Sequence, residues 1–282
     1  MRNIMSTDRN VIGAPGGQAG GIYLFCFARP HCRPDPDIAG MDDRQPVSQW
    51  AFKDIVAVLG MSSIEDFCGP EAEKRMKDLA WIGPRACRHE KVVEEVMRRS
   101  PAFPTRFGTI FSSFDALEKL LDVHYDEISR FLDKAAGKEE WAVKGLLNRA
   151  QAKRSFSTLM LSREEGRLAS LSPGKRYLSE QRIRSSADRE LNSWLKGVIK
   201  GIGDDLGRHS SEFCERKVLS LDSEAMDMVL NWAFWVARED ADDFRARVDR
   251  ANEENDRQGL LLQLSGPWPP YSFLPSLDMD DR

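Results

Sequence analysis

The stretch from Lys138 to Leu264 constrains the fold most, because its hydrophobic period changes in a fixed order. A strand-like run over 138–147 gives way to a long helix within 174–208. There Ala187, Leu191, Trp194, Leu195, Val198, Ile202 and Leu206 fall at steps of three and four. Two strands follow, a weak one over 213–219 and a clear one over 226–237. In the second, alternation places Met226, Met228, Leu230, Trp232, Phe234 and Val236 on one face. Ala241, Phe244, Val248 and Ala251 then mark an amphipathic helix, and 260–264 a last strand. The order βαββαβ is that of a ferredoxin-like unit.

At 282 residues the chain has room for about two domains. Residues 1–20 hold three charged side chains followed by Gly13, Pro15, Gly16, Gly17 and Gly20, which predicts a disordered arm. Strands are expected at 22–27 and 54–59, separated by a loop punctuated by Pro30, Pro34, Pro36 and Pro46. A helix is expected over 71–99, with Pro84 in a first turn and Val92, Val93, Val96 and Met97 on its apolar face. Arg106–Phe111 reads as a short strand. The helix after it carries Leu117, Leu120, Leu121, Ile128, Phe131 and Leu132 and ends at Gly137. The expected fold class is α+β with two domains. Residues 21–137 form the first and 138–265 the second, a modified ferredoxin-like fold with extra helical content, and a tail over 266–282 docks between them.

Composition removes several function classes. Lys plus Arg number 41 against 45 Asp plus Glu, a net charge of −4, so bulk electrostatics do not favour a nucleic-acid polyanion. No apolar run approaches the roughly 20 residues that cross a bilayer as a helix. Five scattered cysteines fit no disulfide framework, which suits a reducing compartment and predicts a cytoplasmic protein without membrane contact. Charge is unevenly spread: residues 173–200 hold seven Lys or Arg against three acids, and 239–257 hold eight acids against four Arg. Such runs either face water or dock a complementary surface on a subunit or partner.

Specific chemistry is not encoded. Pro173-Gly174-Lys175 opens a helix, but Gly166 lies eight positions before Gly174 instead of five, and Arg176 replaces the Ser or Thr that would hold magnesium. Cys26, His31, Cys32, Cys87 and His89 lack zinc-ligand spacing. No G-x-S-x-G elbow or catalytic cysteine signature occurs. No catalytic residue, cofactor or metal is expected.

Four motifs remain. Arg106-Phe107-Gly108-Thr109 follows Pro104, and its cation could pair a carboxylate in a partly buried site. Glu140-Trp141-Ala142-Val143-Lys144 lies in the strand that opens the second half, and Gly174-Lys175-Arg176-Tyr177-Leu178 in the long helix. Gly266-Pro267-Trp268-Pro269-Pro270-Tyr271-Ser272-Phe273 is stiff and extended by its prolines. Its three rings either staple into a groove of the same chain or meet another protein, the staple being the simpler account.

In kind, order and spacing, these motifs resemble the gas vesicle protein L/F family (GvpL/GvpF), from about Gly21 to Phe273. The resemblance implies a non-enzymatic, cytoplasmic protein of gas vesicle formation with two α+β domains. It would be a minor shell component or an assembly factor binding the major shell protein and other accessory proteins. The matching positions are Arg106, Phe107, Gly108, Thr109, Trp141, Lys144, Gly174, Tyr177, Pro267, Trp268, Pro269, Pro270, Tyr271 and Phe273. The alternative from the residues alone is a ferredoxin-like module for a small molecule or RNA, with Trp141, Trp232 and Trp235 as candidate rings.

Overall fold

A computed structural model describes residues 20–31, 38–41, 46–218 and 226–277. The expected arm falls outside these residues except for Gly20, as do parts of the 29–46 loop and of the expected 213–219 strand. The chain divides into two compact units, the first reaching Leu132 and the second spanning Asp133–Pro275.

In the first unit, β1 (Gly20–Ala28), β2 (Ser48–Phe52) and β3 (Ile55–Ser63) precede α1 (Ile64–Phe67), α2 (Pro70–Arg75) and α3 (Leu79–Met97). Then come β4 (Ala102–Pro104), β5 (Ile110–Phe111) and α4 (Phe114–Ala135), which continues just past Leu132. The sheet order is β2-β3-β1-β4, with β5 also pairing β1 and every pair antiparallel. Residues 21–28 are all buried. A bulge at Phe25 shifts the register between Leu24 and Cys26. Side-chain parity flips there. Tyr23, Phe25, Cys26 and Ala28 pack with Val92, Val93 and Val96 of α3, while Phe27 turns to Phe103, whose ring lies 4.9 Å from Phe131 of α4.

The second unit contains β6 (Lys138–Leu147), α5 (Arg149–Arg163), α6 (Glu165–Ala169), α7 (Pro173–Arg208), β7 (Glu212–Glu215), β8 (Asp227–Ala237), α8 (Ala241–Asn255) and β9 (Leu260–Trp268). Its sheet runs β7-β8-β6-β9, all antiparallel. One core joins α5, α7 and α8 to Trp141, Val143, Leu147, Leu230, Trp232, Phe234, Val236, Leu260 and Leu262, so these helices share one face of the sheet. The other face carries Glu140, Ala142, Asn231, Ala233 and Trp235, also buried.

Several local expectations are corrected. Of the expected strand over Arg106–Phe111 only Ile110 and Phe111 are strand, the two-residue β5, and residues 105–109 turn to it from β4. Pro84 lies at the sixth position of α3, because Asp78 caps that helix, its Oδ1 accepting from the Ala80 amide at 2.9 Å. Beside the proline, Arg85 Nη1 donates to the Trp81 carbonyl at 3.2 Å, and its guanidinium lies 4.3 Å from the Trp81 ring. Val229 is an extra residue opposite the Gly145/Leu146 step, so Met228 pairs Leu146 and leaves the face of Leu230. The last strand extends through Gly266, Pro267 and Trp268, which therefore belong to the sheet, and the chain turns at Tyr271–Phe273 instead of continuing extended.

β9 is an edge strand without a charged side chain, a type of edge that invites pairing with other chains. Asn252 of α8 blocks it: its Nδ2 donates to the Leu262 carbonyl at 2.9 Å and its Oδ1 accepts from the Leu262 amide at 2.6 Å. Asn252→Ala is expected to lower unfolding free energy by about 1–3 kcal/mol, because Leu262 loses partners at a buried position. Urea melts check this.

Candidate functional site

The motif 106–109 is the rim of a buried polar chain. Tyr23, fully buried in β1, places its hydroxyl 2.9 Å from His89 Nδ1 on α3. His89 Nε2 lies 3.1 Å from the Thr105 carbonyl, an acceptor, so Nε2 carries the proton and Nδ1 accepts from Tyr23. The Gly108 amide closes the chain by donating to the tyrosine oxygen at 3.1 Å. Gly108 holds φ at +88°, a region that favours glycine. Thr109 Oγ1 and its amide both donate to the Arg106 carbonyl, at 2.7 and 3.1 Å. Phe107 leans on Tyr23, Phe67 and His89.

Burial pushes the Tyr23 hydroxyl well above its ordinary range. It pulls His89 down to about 4, since the charged ring would lose hydration that the single carbonyl contact does not replace. Arg106 itself is exposed and pairs with no carboxylate among the described residues, so the partly buried ion pair open to it from the sequence is not formed there.

The second motif cluster is built around Glu140, a residue the motif reading passed over. This carboxylate is 1% exposed in β6, opposite Trp235 on one neighbour and Trp268 on the other. It accepts from the Ser272 amide at 2.9 Å and the Ser272 hydroxyl at 3.0 Å. Arg216 also binds it, while Arg216 Nε donates to Ser272 Oγ at 2.8 Å. Burial pushes the Glu140 carboxyl up, opposed by Ser272 and Arg216. Phe273 stacks on Trp235 with centroids 5.1 Å apart and planes 11° from parallel. Pro269 and Pro270 are buried and Tyr271 half-buried. Gly266, at φ +140°, has room for no Cβ: one would lie 2.9 Å from the Glu140 carbonyl.

The expected burial of Trp268 is corrected. It is 38% exposed, its Nε1 donating to Ser265 Oγ at 3.1 Å, and Pro267 beside it is exposed. Trp141 is core, with the Arg245 guanidinium 4.6 Å from its ring. Lys144, Gly174 and Tyr177 are exposed, the last at 62%. Glu140 and Ser272 could have been found in the sequence as the only acid of the Glu140–Lys144 motif and the only serine of the Gly266–Phe273 motif. Among the described residues no group of acids, cysteines and histidines is arranged to hold a metal, and no helix is long and apolar enough to cross a membrane. Trp141, Trp232 and Trp235 are 3%, 6% and 0% exposed, so they offer no base-stacking platform for the RNA-binding alternative.

The sequence pattern of the family described as "Gas vesicle synthesis protein GvpL/GvpF" matches residues 21–275, most of the chain. The chain belongs to that family. It is 26% identical over 255 residues to gas vesicle protein L of Streptomyces sp. (strain CB03234), covering 89% of this chain and 91% of that one. It is 25% identical over 260 residues to gas vesicle protein F of Dolichospermum flosaquae, covering 89% and 96%. The fold is similar to the crystal structure of GvpF from Anabaena sp. PCC7120, at a TM-score of 0.64 and 21% identity over 91% of this chain and 97% of that one. GvpF from Microcystis aeruginosa gives a TM-score of 0.62 at 19% identity, over 91% and 99%.

In this GvpL/GvpF member the two buried polar centres respond to pH with opposite sign. The folded His89 pKa lies below the ordinary 6.5, so the unfolded chain binds more protons between them. That contribution is complete above about 6.5 and is lost as pH falls towards 4, about 3 kcal/mol in all. Denaturant melts across this range are expected to show the slope, and His89→Gln to remove its share. Glu140, raised in the fold, instead weakens stability as pH rises through its titration. Ser272→Ala removes a donor to the charged carboxylate and is expected to cost about 1–3 kcal/mol near neutral pH and less at pH 4. Melts of this variant at both pH values test the difference.

Proposed function

We propose that this protein serves gas vesicle formation in the cytoplasm as a non-catalytic accessory factor or minor shell component. On this reading it binds the major shell protein, promotes nucleation or growth, and meets other accessory proteins. Family membership supports the gas vesicle role. A shell that excludes water needs an apolar face, and its subunits expose that face before assembly, when it is prone to aggregate.

The observation that carries the shell contact is the edge of the first sheet. β2 ends that sheet and bears Trp50 and Phe52, half-exposed, with rings 6.0 Å apart. Phe114, 39% exposed, lies 5.9 Å from Trp50, and Tyr125 lies 6.3 Å from Phe52. An edge strand beside an aromatic strip suits an extended apolar segment, the backbone supplying affinity and the rings the pockets. The blocked β9 edge makes β2 the better candidate.

We read 21–137 and 138–265 as the two domains, the second a modified ferredoxin-like fold. The strand order β7-β8-β6-β9, with α7 and α8 on one face, supports that reading. The motif positions serve mainly as internal fastening, and Arg106, Tyr177 and Trp268 remain available to partners.

Light scattering of dilute shell protein, with and without this protein, tests the role. Suppressed aggregation is expected, and Trp50→Ser is expected to weaken capture at least about fivefold, as for an aromatic anchor worth ~1 kcal/mol. Unchanged scattering with folded wild-type protein contradicts the reading.

A further inference from the structure

The aromatic strip beside β2 already seats one cation. Lys53, in the two-residue turn between β2 and β3, has φ at +52°, and its ammonium folds back onto the strip. Its Nζ lies 4.9 Å from the centre of the Phe52 ring and 4.1 Å from that of Tyr125, with Asp122 Oδ1 at 4.0 Å. Two aromatic rings and a carboxylate thus attract a protonated amine together, the electron-rich ring faces adding to the acid.

The Trp50 end of the strip has the same composition. Trp50 lies on the same face of β2 as Phe52, two residues away, and its ring is 5.9 Å from that of Phe114 on α4. Glu118 follows Phe114 by one helical turn and precedes Asp122 by one, which puts it on the flank of α4 that borders the rings. Asp122 is answered by Lys53, whereas Glu118 is exposed and has no hydrogen bond or ion pair among the described residues. The other cations near this end are placed or engaged elsewhere. Lys119 and Arg130 lie roughly 100° or more round α4 from Glu118, Lys119 having a partner of its own, and Arg29 is held by Asp54. Asp115 and Asp126 are exposed on that outer side and add negative charge, while β2 itself carries none.

We propose that the segment docking on the β2 edge carries a Lys or Arg that seats over Trp50 beside Glu118, as Lys53 seats over Phe52 and Tyr125 beside Asp122. This rests on the reading that the edge receives the shell subunit, and it adds the charge of the segment received. An extended segment presents alternate residues to the α4 side, so the cation and an apolar residue stand two positions apart. A segment with an acid at that position meets Glu118 as a like charge and is rejected, so the site selects as well as attracts.

Capture of dilute shell protein by the immobilised full chain, read as a dissociation constant at roughly 0.05 M and 0.5 M salt, tests this. Glu118→Lys is expected to weaken capture about tenfold at the lower salt, an exposed attraction becoming a repulsion of similar size, and the gap to wild type narrows at the higher salt. Glu118→Gln weakens capture less and flattens its salt dependence. Both variants keep wild-type circular dichroism and urea midpoint, since Glu118 is exposed and supports no contact of the fold. If Trp50→Ser weakens capture and Glu118→Lys does not, the edge reading stands and the cation is overturned. No capture by wild type, or capture that Trp50→Ser leaves unchanged, overturns both.

Discussion

The central strands β6 and β8 are buried on both faces, and the second unit is organised around that requirement. An amphipathic helix layer covers one face, as periodicity demands. The second face is closed in part by the chain's own C-terminal segment, through the Phe273 ring on Trp235 and Ser272 on Glu140. The sheet therefore gains this cover only after its last strand has been laid down and the chain has turned back at Tyr271.

Each unit places at least one ionisable group where water is excluded and surrounds it with partners that fix its state. In the first, Tyr23 and the Thr105 carbonyl saturate a neutral His89. In the second, Arg216 and Ser272 gather on Glu140. A buried polar or charged group broken from its partner is costly, so these groups make specific geometry necessary where apolar packing alone would tolerate slippage. The motif residues near them are explained by these chains: Gly108 donates its amide, Gly266 leaves room against the Glu140 carbonyl, and Phe107 packs over the imidazole.

Long periodic elements were legible from sequence: α4, α7, α8, β6 and the βαββαβ order follow from spacing of three to four or two. What escaped were features decided by one residue against its surroundings. A bulge at Phe25 and another at Val229 each flip a strand's parity, which alternation cannot foresee. Asp78 outcompeted Pro84 as the start of α3 because a satisfied cap outweighs a proline's positional preference. The C-terminal motif was legible as important but its roles were exchanged: the prominent Trp268 is exposed, and the inconspicuous Ser272 makes the buried contact.

The central claim is that the family motif at the C-terminus is a clasp belonging to the sheet. Native-state hydrogen exchange at the Ser272 amide, compared with amides of β6 and β8, tests it most directly. The account predicts that Ser272 exchanges only with the cooperative opening of the second unit, at a free energy matching those strands. Exchange of Ser272 through local fraying, several kcal/mol easier than the strands, would contradict it.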